Sequence, residues 1–150
     1  MTLQEVNHLL ERLVSETTKK SEIKVYEKFL HILNELRTRE FSEDEIQSIE
    51  TELESLNLKS DPENRKNYFN KALKQFKKFL RDTFSFTSKG YYTNLGIALG
   101  SSFGVLFGVM FLLGFERSLG ISYGISIGLL IGIFVGQYMD SRAKAAGNLI

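Results

Sequence analysis

Residues able to do chemistry are few and scattered in this sequence. No cysteine occurs, so disulfides, thiolate metal ligands and cysteine nucleophiles are excluded. His8 and His31 are the only histidines, and each stands alone on an amphipathic stretch, whereas a metal site needs three or four convergent donors. Neither a phosphate-cradling loop ahead of a basic residue nor an HExxH pair is present. The sequence therefore predicts no catalytic residue, no metal site and no cofactor, and we do not expect an enzyme.

The carboxylates occupy helix starts and segment ends. Glu43, Asp44 and Glu45 open a predicted helix, where the dipole favours negative charge. Glu116 and Asp140 lie at the ends of two long uncharged stretches, and no charged residue lies inside them. Because charge within a membrane span usually marks a transport pathway, a carrier with a central ion site is disfavoured.

The two uncharged stretches indicate a membrane hairpin. Residues 95–115 and 118–139 contain no Asp, Glu, Lys or Arg. About 20 helical residues cross a hydrocarbon core of roughly 30 Å, so each stretch is long enough to span a bilayer. The short link at residues 115–120 makes the spans antiparallel neighbours. We predict an all-α integral membrane protein with an N-terminal cytosolic helical bundle over residues 1–89 and a two-helix transmembrane hairpin with a short tail over residues 90–150.

Glycines recur at every fourth residue along both spans. They stand at Gly96, Gly100, Gly104 and Gly108 in the first span, and at Gly120, Gly124, Gly128, Gly132 and Gly136 in the second. Lipid tails are as apolar as leucine, so helices associate in a bilayer by close backbone approach and van der Waals packing, with weak Cα–H contacts. The nine glycines therefore predict glycine-zipper (GxxxG) helix packing.

Two arrangements of the glycine faces are compatible with the sequence. The faces of one hairpin can bury each other, which completes a monomer. Small residues off the glycine line, such as Ala98, offer each helix a second close-packing face, and this favours a homo-oligomer. The polar residues available to line a pore, or to pack between spans, are Ser101, Ser102, Ser122, Tyr123, Ser126 and Gln137.

Residues 1–89 have the three- and four-residue apolar periodicity of four amphipathic helices. Thr2 with Glu5, and Ser42 with Glu45, have capping-box spacing and are expected to start the first and third helices. The pair at positions 61–62, an aspartate before a proline, is expected to start the fourth. The second helix is expected to bury a face formed by Ile23, Tyr26, Phe29, Leu30, Leu33 and Leu36.

Basic residues cluster just before the first span and just after the second. Each Lys or Arg beside a membrane gains about 1 kcal/mol from anionic headgroups. Neighbouring aromatics, Phe79, Phe84, Phe86, Tyr91 and Tyr92, suit the membrane interface as well. An alternative is that a basic helix lies beside the acidic segment at residues 40–63. The predicted headgroup contacts are Lys74, Lys77, Lys78, Arg81, Lys89, Arg142 and Lys144.

The same charges predict the orientation of the hairpin. Basic residues lie near both outer ends, whereas the turn carries Arg117 alone. By the positive-inside rule both termini are cytosolic. A net charge of +1 gives no reason to expect nucleic-acid binding.

The C-terminal third resembles a known group of proteins. The stretch GLLIGIFVG at 128–136, running into MDSRAKAAG at 139–147, resembles the end of small bacterial glycine-zipper membrane proteins of uncharacterised function. That resemblance implies a bacterial inner-membrane location. The hairpin is also similar in outline to the rotor-ring subunits of rotary ATPases, but those carry an ion-binding carboxylate inside a span, whereas Glu116 and Asp140 lie at the span ends.

Three functions are compatible with these observations. The first is a homo-oligomeric membrane assembly whose spans surround a pore or a lipid-filled ring. The second is a membrane anchor or adaptor whose cytosolic helices recruit an unknown protein partner. The third is a membrane-damaging effector that assembles on a trigger.

Overall fold

The computed structural model of the chain describes residues 1–60, 62–111 and 117–150. For Phe111, Arg117 and Ser118 only the backbone is described. The described residues form six α-helices and no strand beyond an isolated bridge. In chain order the helices are α1 (Leu3–Glu16), α2 (Lys20–Arg37), α3 (Glu43–Ser55), α4 (Arg65–Phe84), α5 (Tyr91–Phe111) and α6 (Arg117–Ala145).

The chain divides into two compact units. We call Met1–Phe86, with Ile150, the helical domain, and Thr87–Leu149 the hairpin unit. The division lies close to the boundary expected at residue 89. Helix α4 ends at Phe84, and Ser85 takes a left-handed conformation with φ 59°, so α4 does not continue into α5.

Local capping sets the start of three helices in the helical domain. Both predicted capping boxes are confirmed, at Thr2 with Glu5 and at Ser42 with Glu45. The expected start of α4 is wrong. The helix begins at Arg65, where the Asn64 side chain accepts a hydrogen bond from the Asn67 amide at 3.1 Å. Pro62 precedes that helix, and its neighbour at position 61 lies outside the described residues.

All four helices of the helical domain contribute to one apolar core. Tyr26 and Phe69 meet edge to face at 4.9 Å between ring centroids, and Phe29 lies 5.5 Å from Phe76. The buried face of α2 differs slightly from the expected one. Val25 and Ile32 are buried with Tyr26, Phe29, Leu33 and Leu36, whereas Ile23 and Leu30 are only half-buried.

An aromatic cluster extends this core towards the end of α4. Phe84 stacks on Phe86, and both contact Phe41 edge to face. Phe79 contacts Phe84 in the same cluster. Phe86 is buried in the core of the helical domain, and Phe79 and Phe84 are half-buried against it, so the expectation that these rings lie at a membrane interface stays a prediction.

The hairpin unit consists of α5 and α6 packed antiparallel along their length. Both helices are long and apolar enough to cross a membrane over Tyr91–Met110 and Leu119–Ala145. Only 11% and 22% of their apolar windows are buried within the protein. A core helix of a soluble protein would instead be mostly buried.

Candidate functional site

The site with the most specific geometry is the seam between α5 and α6, where glycines of one helix face glycines of the other. Gly96 faces Gly132, Gly100 faces Gly128, Gly104 faces Gly124 and Gly108 faces Gly120. As the residue number rises along α5, the number of its partner in α6 falls by the same amount, as expected for antiparallel helices. Gly136 continues the seam against the backbone of Tyr92 and Thr93.

The backbones along the seam are too close to admit any side chain. A Cβ built on Gly108 would lie 2.6 Å from the carbonyl oxygen of Gly120. A Cβ on Gly128 would lie 2.9 Å from the Cα of Gly104. Real Cβ atoms essentially never approach within 3.0 Å of another heavy atom, and here the obstacles are backbone atoms that cannot swing aside. The seam therefore depends on glycine from Gly96 to Gly108 in α5 and from Gly124 to Gly136 in α6.

The two sides of the seam differ. On one side lies an open apolar groove of about 570 Å³ whose floor is the glycine backbone. Its walls are the residues that directly precede glycines: Leu99, Phe103 and Phe107 from α5, and Ile127, Ile131 and Val135 from α6. Of the residues that follow glycines, Ile97, Ile121, Ile125, Leu129 and Ile133 are half-buried, whereas Val105 and Val109 are 37% and 40% exposed. The side chains that precede glycines thus form the walls of the groove, whereas most of the apolar side chains that follow glycines are less exposed.

The hairpin exposes far more apolar surface than the helical domain. Among the described residues, Ile46 is the only exposed large hydrophobic side chain of the helical domain. The hairpin exposes a long series, with Phe134 71% exposed and Met110 66% exposed. Monomeric soluble proteins rarely expose contiguous apolar patches beyond a few hundred Å². A surface of this kind is unusual for a monomeric soluble protein.

A carboxylate from α6 caps the start of α5. Gly90 occupies the position before α5 and has no side chain to satisfy the first free amides of the helix. Asp140 accepts hydrogen bonds from the amides of Tyr92 and Thr93 at 3.0 and 3.1 Å. It also accepts one from the Thr93 hydroxyl at 2.6 Å. Asp140 therefore acts as an N-cap supplied by the neighbouring helix, and its charge is placed where the helix dipole favours it.

The end of α6 is closed by a glycine turn that returns the chain to the start of α5. Gly147 has φ 73°, and the amide of Asn148 donates to the carbonyl of Ala143 at 2.9 Å, as in a Schellman motif. The Asn148 carbonyl then accepts from the Thr87 amide at 2.8 Å. Together with the Asp140 cap, this bond ties the two ends of the hairpin unit.

The polar residues expected to line a pore lie on the outer faces of the hairpin. Ser102, Ser122, Tyr123, Ser126 and Gln137 are exposed, and Ser101 is half-buried. Ser101 and Ser102 both donate to the Ala98 carbonyl, and Ser126 donates to that of Ser122. Since these hydroxyls donate to carbonyls of their own helices, the three serines need no polar partner from outside the helix.

The serines of α6 also match the spacing of a catalytic motif. Residues 120–124 and 124–128 both read G-x-S-x-G, the pattern of a nucleophile elbow. In an elbow the serine sits on a sharp strand-to-helix turn. Ser122 and Ser126 instead lie inside one continuous helix. The pattern here is a by-product of the four-residue glycine repeat.

The basic residues expected at lipid headgroups differ in accessibility. Lys74, Lys78, Lys89, Arg142 and Lys144 are exposed, whereas Lys77 and Arg81 are half-buried. Burial, together with nearby Lys28, lowers the pKa of Lys77. Arg81 pairs with Asp82 at 3.0 Å. Arg142 lies over the ring of Tyr138 at 5.9 Å.

Candidate metal ligands do not converge in the part of the chain that the structure describes. His8 and His31 are both exposed, and His8 lies 3.6 Å from Glu11 on its own helix. Glu45 accepts from the Ser42 amide, and this bond lowers its pKa, so the carboxylate serves the capping box.

Comparison with protein families, with characterised proteins and with solved structures finds no match to the chain.

Proposed function

We propose that this protein is a membrane-anchored adaptor, in which the hairpin unit holds the helical domain at a membrane surface. The observation that carries the proposal is that the glycine faces of α5 and α6 pack against each other, while the outward surface of the hairpin is apolar. Such a hairpin is complete within one chain and needs only lipid around it.

The apolar groove supports an anchor more than a channel. Its walls are leucine, isoleucine, valine and phenylalanine, and its floor is glycine. Water and ions need polar partners along their path, which this groove does not offer. Acyl chains fill such a groove in a bilayer without loss of hydrogen bonds.

The helical domain supplies the surface that recruits a partner under this proposal. It has its own apolar core. Helix α3 carries six acidic residues and no basic one, and its Ile46 side chain is 38% exposed between them. A cytosolic protein partner would meet this charged surface. The inner-membrane location remains a prediction from the resemblance of the C-terminal third, and the cytosolic placement of both termini remains a prediction from the charge bias.

Two experiments test the anchor. Full-length protein should float with liposomes and resist extraction by alkaline carbonate. A fragment ending at Phe86 should stay in the soluble fraction as a folded monomer and still capture the partner found with the full chain. Release of the full-length chain by carbonate, or loss of every partner on truncation, would contradict the proposal.

A homo-oligomer is the second candidate, favoured by small residues on the outer faces. Ala98 and Ser102 are exposed on α5, and Ser122 and Ser126 are exposed on α6, each pair four residues apart. Small residues at this spacing let a further helix approach closely. Such an assembly could surround a pore.

The substitution Ser102→Leu separates the two candidates. Its bulk leaves the glycine seam untouched but blocks close approach from outside. An oligomer should lose its native mass by light scattering in mild detergent, whereas an anchor should be unchanged. Ion flux through liposomes loaded with the wild-type chain would favour the pore, because an anchor conducts nothing.

A further inference from the structure

We infer that the base of the hairpin unit contains a discrete binding site for the phosphate group of a membrane lipid, formed by Lys89, Lys144, Gln137 and Ser141. These residues line one pocket of about 390 Å³, with Gly90, Thr93, Asp140 and Leu149. This inference rests on the proposed anchoring, since it places the pocket at the membrane surface. It replaces a diffuse attraction between basic residues and headgroups with a defined site.

The four residues offer unused hydrogen-bond donors. Lys89 and Lys144 make no ion pair within the part of the chain that the structure describes. The Gln137 amide and the Ser141 hydroxyl make no hydrogen bond to the described residues either. Two ammonium groups, an amide and a hydroxyl therefore line the same pocket, and a phosphate oxygen can accept from each of them.

The carboxylate in the pocket lining does not cancel this positive charge. Both oxygens of Asp140 accept from the first turn of α5. The positive end of the helix dipole, roughly half an elementary charge, offsets part of the negative charge there. The pocket thus contains two positively charged lysines and one carboxylate whose negative charge is partly offset. Its net charge is positive, so it favours an anion.

The position of the pocket selects a lipid as the source of the phosphate. Asp140 and Ser141 directly follow the uncharged stretch that ends at Met139. Tyr138, 64% exposed, and Tyr91 lie at the same end of the hairpin unit, as interfacial tyrosines do. Lipid phosphates lie at this level, and Leu149 gives the pocket an apolar edge.

The test measures lipid binding to the full-length chain by native mass spectrometry from a neutral detergent. Binding of phosphatidylglycerol is compared with binding of phosphatidylcholine. Both are measured for the wild type and for the double variant Lys89→Ala with Lys144→Ala. The matched control replaces Lys74 and Lys78, which are exposed on α4 and lie outside the pocket. Removal of two charges is equal in both variants, so only position differs.

We expect the pocket variant to bind phosphatidylglycerol about 25-fold more weakly than the wild type. Each lysine contributes about 1 kcal/mol of binding free energy, which is about fivefold in affinity, and the variant lacks two. The control variant should change little, and Lys89→Arg with Lys144→Arg should retain binding. Ser141→Asp, which adds a negative charge while both lysines remain, should abolish it. Equal losses in the pocket and control variants would overturn the site and leave only diffuse attraction.

Two further arms separate the remaining outcomes. Competition by excess inorganic phosphate as strong as that by the lipid would assign the pocket to the free ion and overturn the lipid source. Flotation of each variant with liposomes reports anchoring separately. If the pocket variants float with liposomes but bind phosphatidylglycerol as tightly as the wild type, the phosphate site is wrong and the proposed anchoring is unaffected. If the wild type does not float, the anchoring itself fails.

Discussion

Alanine at Gly104 tests whether bare backbone holds α5 against α6. Its Cβ would meet the carbonyl group of Gly124, with the oxygen nearest and the carbon at 2.9 Å, and would lie 3.0 Å from the Cα of Ile125. Ordinary van der Waals contact begins at 3.4 Å, so the helices must separate by at least about half an ångström. Both obstacles are backbone atoms, which no rotamer change can relieve.

The expected net loss is about 1–2 kcal/mol of hairpin stability. Overpacking costs about 1–3 kcal/mol. Alanine favours a helix over glycine by up to about 1 kcal/mol, which offsets part of this cost. The matched control is Ser102→Ala, on the exposed face two residues away, and it should stay within about 0.5 kcal/mol of the wild type.

The assay is equilibrium unfolding of the hairpin in mixed micelles with increasing dodecyl sulfate. Because the chain has no cysteine, dyes can be attached to cysteines introduced at Leu95 and Met139, both 42% exposed near the base of the hairpin. Energy transfer between the dyes then reports whether α5 and α6 are together. If Gly104→Ala is as stable as Ser102→Ala, close backbone contact does not hold the helices, and our reasoning is refuted.

The remaining predictions concern other parts of the molecule. Asp140→Ala should cost about 1–2 kcal/mol and speed hydrogen exchange at the amides of Tyr92 and Thr93, because they lose their cap; unchanged exchange would contradict the capping role. A hydrogen bond from the Thr17 hydroxyl lowers the pKa of Glu22, so the stabilisation is present above the unfolded pKa of about 4.3 and is lost as the pH falls through the folded value. Glu22→Gln should therefore flatten the acid side of the stability curve, and an unaltered curve would rule out this contribution. Phe29→Ala should destabilise the helical domain by about 3–5 kcal/mol in thermal unfolding, and a loss below about 1 kcal/mol would show that the core is packed differently.

Features set by neighbouring residues were predictable from the sequence. The capping boxes need only residues three apart, and both occur where expected. The two apolar helices follow from length and composition. The start of α4 was not predictable from its aspartate–proline pair. Asn64 offers a second N-cap just downstream, and nothing in the local pattern ranks the two starts.

Features that depend on packing between helices were not visible in the sequence. Asp140 reads as the first charge after a span, yet it caps a helix 47 residues earlier in the chain. The open groove depends on how α5 and α6 are rotated about their axes, which residue spacing does not fix. Likewise, Lys89 and Lys144 read as separate basic residues until the fold brings them to one pocket.

Cysteine accessibility in intact membranes tests the central claim most directly. Single cysteines at Phe103, Leu130 and Phe134 replace side chains that are 56%, 58% and 71% exposed in the chain itself. A cysteine at Ser48, exposed on α3, is the control. We predict that a water-soluble maleimide labels position 48 in opened membranes but labels the three hairpin positions only after a denaturing detergent is added. Labelling of the hairpin cysteines in intact bilayers would show that lipid does not cover these surfaces, and the account would be wrong.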